Sequence, residues 1–450
     1  MNPRRPRDRR AACALAGLAF ALGGAAALPD EGNAGLERLV SQGRYTEAYA
    51  RARDEPPQAG ESLYLAALSA YNALMLTDAR RDLTRLAALG YERRERGWPT
   101  VSAMSAGLAA SERWTGALVP VTAADGRVAY DRSGCGDVTF ASDVDSAASE
   151  AYAAASRIAF GGVRPPDSAP PVNLYLFDRN ADAAEFLGAL DLRARTDGSA
   201  ASIGLGIMLW RELDGCDAHP GPYGLRATLA HETLHAFQSL MGVEYGPRWT
   251  IEGTALMAEC LVDPNRALDL RCKALTAVRG DRARVLAALQ SSEERFDDYP
   301  VYYMLCSCFA RRQSLAALGA LMRDLNRYHG RSTEDALWYS SALTPVALAA
   351  AALRDTEQAP EWAAARDLVA LRARAGGDPD QQATELLAAY RARSDEPYLG
   401  FLAARALVRA GRLSEARAVI SRLERTGYEG AVEGTLTDSE AMMRGTGAGS

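Results

Sequence analysis

The stretch LAHETLHAFQSL, residues 229–240, holds two of the four histidines in the chain, four positions apart, with a glutamate directly after the first. On an α-helix, residues four apart share one face, so His231 and His235 can point their imidazoles at one ion. Glu232 lies one position around the helix, where its carboxylate can reach a water beside that ion. The pattern predicts a helix with two zinc ligands and a general base. The alternative is a core helix with two buried histidines.

The residues on either side predict the limits of this helix. Leu225, Leu229 and Phe237 give it an apolar side, which favours a buried amphipathic helix. Gly224 precedes the pattern and Gly242 follows it. Glycine is the usual residue just past a helix C-terminus, so we expect the helix to run from near Gly224 to near Gly242.

A catalytic zinc site needs a third protein ligand and an open fourth position. Glu252, in PRWTIEGTALMAE at residues 247–259, is the best candidate, and sixteen residues separate it from His235. The small residues Gly253 and Ala255 would let this second helix approach the first closely. The alternative is that Glu252 is an exposed acid near a helix N-terminus.

A second carboxylate follows on the same predicted helix. Glu259 lies seven residues after Glu252, so the two share a helical face. Glu259 could orient a ligand histidine by a hydrogen bond from outside the metal shell, or it could form a simple salt bridge. The sequence leaves both roles open.

The first 27 residues have the composition of a secretory signal peptide. MNPRRPRDRR carries five arginines, the uncharged AACALAGLAFALGGAAA follows, and small residues stand at Ala25 and Ala27. This order predicts a bacterial protein that is exported to the periplasm or secreted, with no stable membrane span after cleavage. An uncleaved membrane anchor is the alternative. The formal net charge of −6 argues against a nucleic-acid partner.

Six cysteines follow the signal segment: Cys135, Cys216, Cys260, Cys272, Cys306 and Cys308. An even number in an exported chain permits disulfides. Cys260 and Cys272 are close enough in sequence for a local bridge. Isolated buried thiols are the alternative.

The two ends of the chain resemble each other. Residues 42–52 read QGRYTEAYARA and residues 410–420 read AGRLSEARAVI, and both patterns are typical of a helix-turn-helix junction. They resemble the tetratricopeptide repeat, a pair of antiparallel helices, with about two pairs at each end. We expect helical layers packed on a central domain, which serve as scaffolding or bind a protein partner.

The middle of the chain mixes strand and helix patterns, which predicts an α+β domain. Helices are expected at 141–160, at 181–190 and over 300–353. The apolar runs VNLYLF, residues 172–177, and SIGLGIMLWREL, residues 202–213, read as strands.

HETLHAFQ followed by PRWTIEGTALMAE resembles the gluzincin metallopeptidases, in particular the peptidase MA-like domains, over roughly residues 135–355. The resemblance implies a zincin-like central domain, in which a small mixed sheet accompanies the HExxH helix and further C-terminal helices. It also implies that His231, His235 and Glu252 bind Zn2+ and that Glu232 is the general base.

The same resemblance implies a tyrosine that stabilises the oxyanion, from the helix after the third ligand. DYPVYYMLCSCFARR, residues 298–312, offers Tyr302 and Tyr303, of which Tyr302 fits the family pattern better. A buried core tyrosine is the alternative. Gluzincins also use an edge strand beside the metal helix to bind an extended peptide, and residues 202–210 could form that edge or a central strand.

The sequence thus predicts an exported zinc metallopeptidase that acts on a peptide or protein substrate. An exported helical-repeat adaptor with a catalytically silent peptidase-like domain is the alternative. The expected regions are a signal peptide (1–27), an N-terminal tetratricopeptide-like helical region (28–115), a gluzincin-like metallopeptidase domain (130–355), a C-terminal helical repeat-like region (360–435) and a flexible tail (436–450).

Overall fold

A computed structural model describes residues 32–54, 60–93, 97–116, 118–133, 138–161, 170–194, 200–212, 225–243, 247–291, 293, 295–327, 337–338, 341–374, 378–394 and 397–425. The predicted signal peptide and C-terminal tail lie outside these residues, as do the other two histidines of the chain, His219 and His329, and two of the six cysteines, Cys135 and Cys216. Within the described ranges, no helix is long and apolar enough to cross a membrane.

The N-terminal half of the described chain contains helices α1 to α7 and strands β1 to β5. In order these are α1 (Gly32–Ser41), α2 (Tyr45–Asp54), α3 (Gly60–Asn72), α4 (Leu76–Ala88), α5 (Val101–Thr115), β1 (Val119–Thr122), β2 (Val128–Arg132), α6 (Val138–Ala159), β3 (Val172–Arg179), α7 (Asn180–Ala189), β4 (Ala200–Ile203) and β5 (Gly206–Glu212).

Helices alone make up the described regular structure after residue 212. They are α8 (Leu225–Leu240), α9 (Arg248–Val262), α10 (Pro264–Val278), α11 (Arg282–Gln290), α12 (Tyr299–Arg312), α13 (Leu315–Arg327), α14 (Pro345–Gln358), α15 (Ala363–Arg374), α16 (Pro379–Ala392), α17 (Pro397–Arg409) and α18 (Leu413–Arg425), with short 3-10 turns at Phe296–Asp298 and Pro360–Trp362. Many helices with one small sheet confirm the α+β class. The finer zincin-like and tetratricopeptide-like descriptions stay predictions.

One mixed sheet, in the order β1-β2-β3-β5-β4, forms the centre of the molecule. The β2–β3 and β3–β5 pairs are parallel, whereas β1–β2 and β4–β5 are antiparallel. The expected single strand at 202–213 is wrong: Gly204, with a φ of 57°, turns the chain between β4 and β5. β4 is therefore the edge strand at this end, and β5 lies inside the sheet.

Strands β1 and β2 were not predicted from the sequence. The predicted domain boundary at residue 130 falls inside β2, so the sheet begins earlier, at Val119. β1 is only four residues long and mostly exposed, which leaves little apolar periodicity for a sequence pattern to reveal.

The two faces of the sheet are covered by different helices. Tyr130 of β2 packs edge-on against Tyr152 of α6, and its hydroxyl hydrogen-bonds to Thr233 of α8 at 2.8 Å. Successive residues of a strand face opposite sides. Accordingly, Asn173 and Tyr175 of β3 face the N-terminal helices, and both bond the Leu74 carbonyl. The helix with the two histidines thus lies on one face and helices α3 and α4 on the other.

The N-terminal helices share a continuous buried core with the sheet and with α6 and α8. This agrees with the expectation of helical layers packed on a central domain. Both predicted helix-turn-helix junctions are present, with Gly43 and Gly411 in the left-handed region. The arginine after each glycine pairs with a glutamate three positions on, Glu47 in the first junction and Glu415 in the second.

The C-terminal helices α15 to α18 have a buried core of their own. Helix α10 connects this core to the rest of the molecule, since its Cys272 belongs to the C-terminal core. Asp269 of α10 also accepts a hydrogen bond from the Tyr398 hydroxyl at 2.8 Å. After residue 378 the described chain shows three helices, where the sequence suggested about two pairs.

Close packing of α9 positions the residues around Glu252. A Cβ added at Gly253 would lie 2.6 Å from the carbonyl oxygen of Tyr302 and 2.7 Å from Cys306 Sγ. The expectation that Gly253 allows close approach to the histidine helix is therefore wrong. This glycine faces α12 instead, which presses its backbone against α9.

We expect Gly253→Ala to destabilise the fold. Overpacking costs about 1–3 kcal/mol. The cost should lie near the upper end of that range, because the added Cβ would clash with a backbone oxygen. Alanine gains only roughly 1 kcal/mol over glycine as a helix former. Gly188→Ala on α7 is the matched control, because its Cβ would meet nothing within 4 Å. Chemical denaturation should show a lower free energy of unfolding for Gly253→Ala alone, and equal values for the two variants would contradict this packing.

Candidate metal centre

Helix α8 spans Leu225–Leu240, close to the predicted limits, and Gly242 follows it with a φ of 70°. His231 and His235 lie one turn apart on this helix, with ring centroids separated by 4.7 Å. Their side chains remain 12% and 17% exposed, which leaves the imidazoles within reach of a small molecule or a peptide.

Glu252 of α9 completes a group of three possible metal ligands. One ligand atom from each of His231, His235 and Glu252 lies within 4.8 Å of the others. Oε2 of Glu252 is 3.5 Å from His231 Nε2 and 3.6 Å from His235 Nε2. Ligands about 2.0–2.2 Å from a tetrahedral zinc are roughly 3.3–3.6 Å apart from one another. Both carboxylate–imidazole spacings are thus compatible with a shared metal ion.

One oxygen of the Glu252 carboxylate, Oε2, faces the two imidazoles without a close hydrogen bond. The Glu252 side chain is buried, and Oε2 makes no hydrogen bond in the described structure. A buried charge is costly without a cation or a donor, and the imidazole nitrogens approach this atom only to 3.5 and 3.6 Å. Two imidazole nitrogens and one carboxylate oxygen form a donor set that suits a divalent metal such as zinc.

The charge states of the three groups are coupled. Burial alone would raise the pKa of the Glu252 carboxyl, but the imidazoles of His235 and His231 hold that pKa well below its usual range. Burial alone would lower the pKa of His231, but its contacts with the Glu252 and Glu259 carboxylates raise that pKa well above its usual value. The carboxylate and the imidazoles thus favour each other's charged forms, and a metal ion would have to replace the imidazolium protons as the partner of Glu252.

Glu259 fixes the orientation of His231. Its Oε1 lies 2.5 Å from His231 Nδ1, and its Oε2 accepts from Arg266 Nε at 2.5 Å. Asp269 holds the same guanidinium at 3.1 Å. Glu259 thus forms the salt bridge that the sequence allowed and also contacts His231, so that its orienting of a metal ligand stays a prediction. With Nδ1 engaged, His231 presents Nε2 towards Glu252, and ligand histidines are commonly held in this way.

Gln238 fixes the orientation of His235. Its Oε1 lies 2.8 Å from His235 Nδ1, and its Nε2 donates to the Ile251 carbonyl at 2.9 Å and to Thr254 Oγ1 at 2.8 Å. Gln238 therefore connects α8 to α9 on either side of Glu252. The sequence analysis gave this residue no role, although it lies three positions after His235 and on the same helical face.

Arg248 is a further residue at the centre that the sequence analysis missed. It lies one turn before Glu252, and its Nη1 is 3.7 Å from Glu252 Oε1. The guanidinium thus lies beside one carboxylate oxygen, while the other oxygen faces the histidines. The spacing of four positions from Glu252 was the available signal.

Glu232 is half-buried and has no hydrogen bond or ion pair to the described residues. Burial alone would lower the pKa of His235, but the charge of Glu252 raises it above its usual value. The nearby Glu232 carboxylate adds a smaller contribution in the same direction. The Glu232 carboxylate thus lies close enough to the imidazoles to act on the His235 charge.

The two candidate tyrosines point into different cores. Tyr302 packs with Trp249 and Leu305, and its hydroxyl donates to the Glu293 carbonyl at 3.4 Å. Burial raises the pKa of Tyr302, with smaller contributions from charges that include Glu252. Tyr303 instead packs with Leu256 on the other side of α12. Of the two, Tyr302 is the tyrosine whose pKa is affected by the Glu252 charge, although its hydroxyl contacts the Glu293 carbonyl.

The proposed Cys260–Cys272 bridge is wrong, because both thiols are free. Cys260 packs beside Tyr303, whereas Cys272 belongs to the C-terminal core, with its Sγ 3.9 Å from the Ala365 carbonyl oxygen. Closeness in sequence did not bring the two thiols together, because they lie on different helices that bury them in separate clusters.

We expect Glu259→Gln to weaken metal binding by about 10–100-fold, the usual effect of losing a partner that orients a ligand. The amide keeps the size of the side chain but loses the charge that holds both His231 and Arg266. Competition with a chromogenic zinc chelator would measure the affinity. Glu357→Gln, at an exposed position on α14, is the control, and equal affinities for the two variants would contradict a role for Glu259 at this centre.

Comparison of the chain with protein-family models, with curated proteins and with solved structures finds no match.

Proposed function

We propose that this protein is an exported zinc metallopeptidase. The observation that carries the proposal is the convergence of His231, His235 and Glu252, with the buried Glu252 Oε2 atom 3.5 and 3.6 Å from the two imidazoles and without a close hydrogen bond. The two histidines and Glu252 would hold the zinc, and Glu259 and Gln238 would keep the imidazoles in the orientation that binding needs.

Zinc, when bound, supplies a Lewis acid that acidifies a water molecule and polarises a carbonyl group. Glu232 then acts as the general base, and one of its carboxylate oxygens accepts the proton of the attacking water. The same carboxyl group passes this proton to the amine that leaves as the peptide bond breaks. The half-buried position of Glu232 and its lack of other partners support this role.

Two further residues would act on the substrate carbonyl. Tyr302 would donate a hydrogen bond to the developing oxyanion, for which its hydroxyl must leave the Glu293 carbonyl when substrate binds. The Arg248 guanidinium, beside Glu252, would add positive charge on the same side. Preorganised donors of this kind stabilise the charge that develops in the transition state.

Metal removal tests the proposal. The purified protein should contain about one zinc per chain and should cleave unfolded casein. Dialysis against 1,10-phenanthroline should abolish cleavage, and one equivalent of zinc should restore it. Mass spectrometry of metals and gel analysis of casein fragments are the measurements.

Two outcomes would argue against this function. Cleavage by the zinc-free protein would exclude the zinc mechanism. Zinc binding without cleavage of any unfolded substrate would favour the adaptor alternative, for which the separate core of the C-terminal helices is the supporting observation. Those helices would then be the surface that binds a protein partner.

A further inference from the structure

A cleft of about 560 Å³ lies between the N-terminal helices and the sheet. Tyr49 of α2, Asp78 of α4, Asp131 of β2 and Asn173 of β3 are among its lining residues. Tyr130, the neighbour of Asp131, bonds Thr233 on the histidine helix. Because successive strand residues face opposite sides, the cleft lies on the sheet face opposite the metal centre.

Asn173 supplies an unpartnered acceptor in this cleft. Its side chain is only 2% exposed, and its Nδ2 donates to the Leu74 carbonyl at 3.0 Å and to the Tyr175 hydroxyl at 3.2 Å. If the amide nitrogen and oxygen were exchanged, Oδ1 would face the Leu74 carbonyl oxygen, which is also an acceptor. These contacts therefore fix the orientation of the Asn173 amide. The Oδ1 atom is buried without a partner in the described structure, and it requires a donor.

Asp131 stands beside Asn173, since the two are register partners on neighbouring parallel strands. Its carboxylate forms no hydrogen bond or ion pair with any described residue. Burial, followed by the charge of Asp78, raises the pKa of Asp131, because no cation compensates it. Asp78 differs in this respect, since Tyr49 and Arg81 hold its carboxylate.

The arginines of the cleft have other contacts. Arg80 forms an ion pair with Glu112 at 3.1 Å, and the Arg53 guanidinium lies 5.9 Å from the ring centre of Tyr49. Two adjacent acceptors, Asp131 and Asn173 Oδ1, thus remain for a ligand. Apolar side chains complete the lining: Met75, Leu76, Leu118 and Pro171.

We infer that this cleft binds a small organic ligand that carries a primary ammonium group. The ammonium would donate to the Asp131 carboxylate and to Asn173 Oδ1, and such charge-assisted hydrogen bonds are strong in a partly buried site. Its carbon chain would contact the apolar lining, and the volume is within the range of about 300–1,000 Å³ for small-molecule sites. The inference does not depend on the proposed peptidase function, because the two sites lie on opposite faces of the sheet.

Calorimetric titration of the full-length protein with cadaverine tests this inference. Cadaverine should bind, whereas 1,5-pentanediol, which has the same chain length without charge, should not. Asp131→Asn should weaken cadaverine binding by about tenfold or more, because it removes the charge of the hydrogen-bond acceptor. Asp143→Asn, at an exposed position on α6, should leave it unchanged, and circular dichroism would establish that both variants fold.

The proposal is overturned by an absence of cadaverine binding, by equal binding of the diol, or by equal affinity in Asp131→Asn. The last result would place the amine elsewhere, including at the metal centre. The comparison of amine with diol uses the wild-type chain, so it stands even where a variant does not fold. Binding of the peptide acetyl-Gly-Lys-Gly-amide with the same dependence on Asp131 would support the site and identify a peptide side chain as the source of the ammonium.

Discussion

Replacement of Glu232 by glutamine is expected to lower peptide cleavage by about 10²–10⁴-fold, the usual contribution of a general base, and to leave zinc content unchanged. The amide has the size of the carboxyl group but cannot accept the proton of water. Glu232 has no hydrogen bond or ion pair with the described residues, so the change removes no visible contact. Stopped assays of casein hydrolysis and metal analysis of the same sample are the measurements.

The control for this experiment is Glu357→Gln, which removes an exposed carboxylate far along the sequence on α14. It should keep both activity and zinc. Unchanged cleavage by Glu232→Gln would remove the general base from the mechanism. Loss of zinc together with activity would instead mean that Glu232 holds the metal, contrary to the assignment of Glu252 as third ligand.

The sequence predicted those parts of the centre that depend on helical periodicity. His231 and His235 share a face because they lie four positions apart on one helix, and Glu259 lies on the same face as Glu252 because seven residues make nearly two turns. Such relations do not depend on what surrounds the helix. In the structure His231, His235 and Glu252 converge, and Glu259 contacts the other ring nitrogen of His231.

The features that the sequence missed depend on contacts between elements. Gln238 of α8 donates a hydrogen bond to the backbone of α9, and Arg266 of α10 donates one to Glu259 of α9. Each contact joins two helices, so neither follows from the spacing of residues in the sequence. Gly253 faces α12 rather than α8, because the packing partner of a small residue is a tertiary property. The hairpin of β4 and β5 was read as one strand, since a single glycine within an apolar run does not reveal a turn.

Glu252 is the residue on which the metal assignment depends, since the histidines alone would be compatible with a core helix. Glu252→Gln replaces a buried carboxylate by an amide, a poor zinc ligand. We expect zinc affinity to fall by more than about 100-fold, because losing a group that only orients a ligand already costs about 10–100-fold. Competition titrations with a chelator would give the affinities.

The order of the variants separates a metal site from a structural cluster. Affinity should fall most for Glu252→Gln, less for Glu259→Gln, and not at all for Glu357→Gln. In the proposed site Glu252 would bind the metal and Glu259 would orient the ligand His231, whereas Glu357 is exposed to solvent. In a cluster that only pairs charges, Glu252→Gln would change the free energy of unfolding without changing zinc affinity. Equal zinc affinity in wild type and Glu252→Gln, with both chains folded, would therefore remove the metal centre and the peptidase proposal with it.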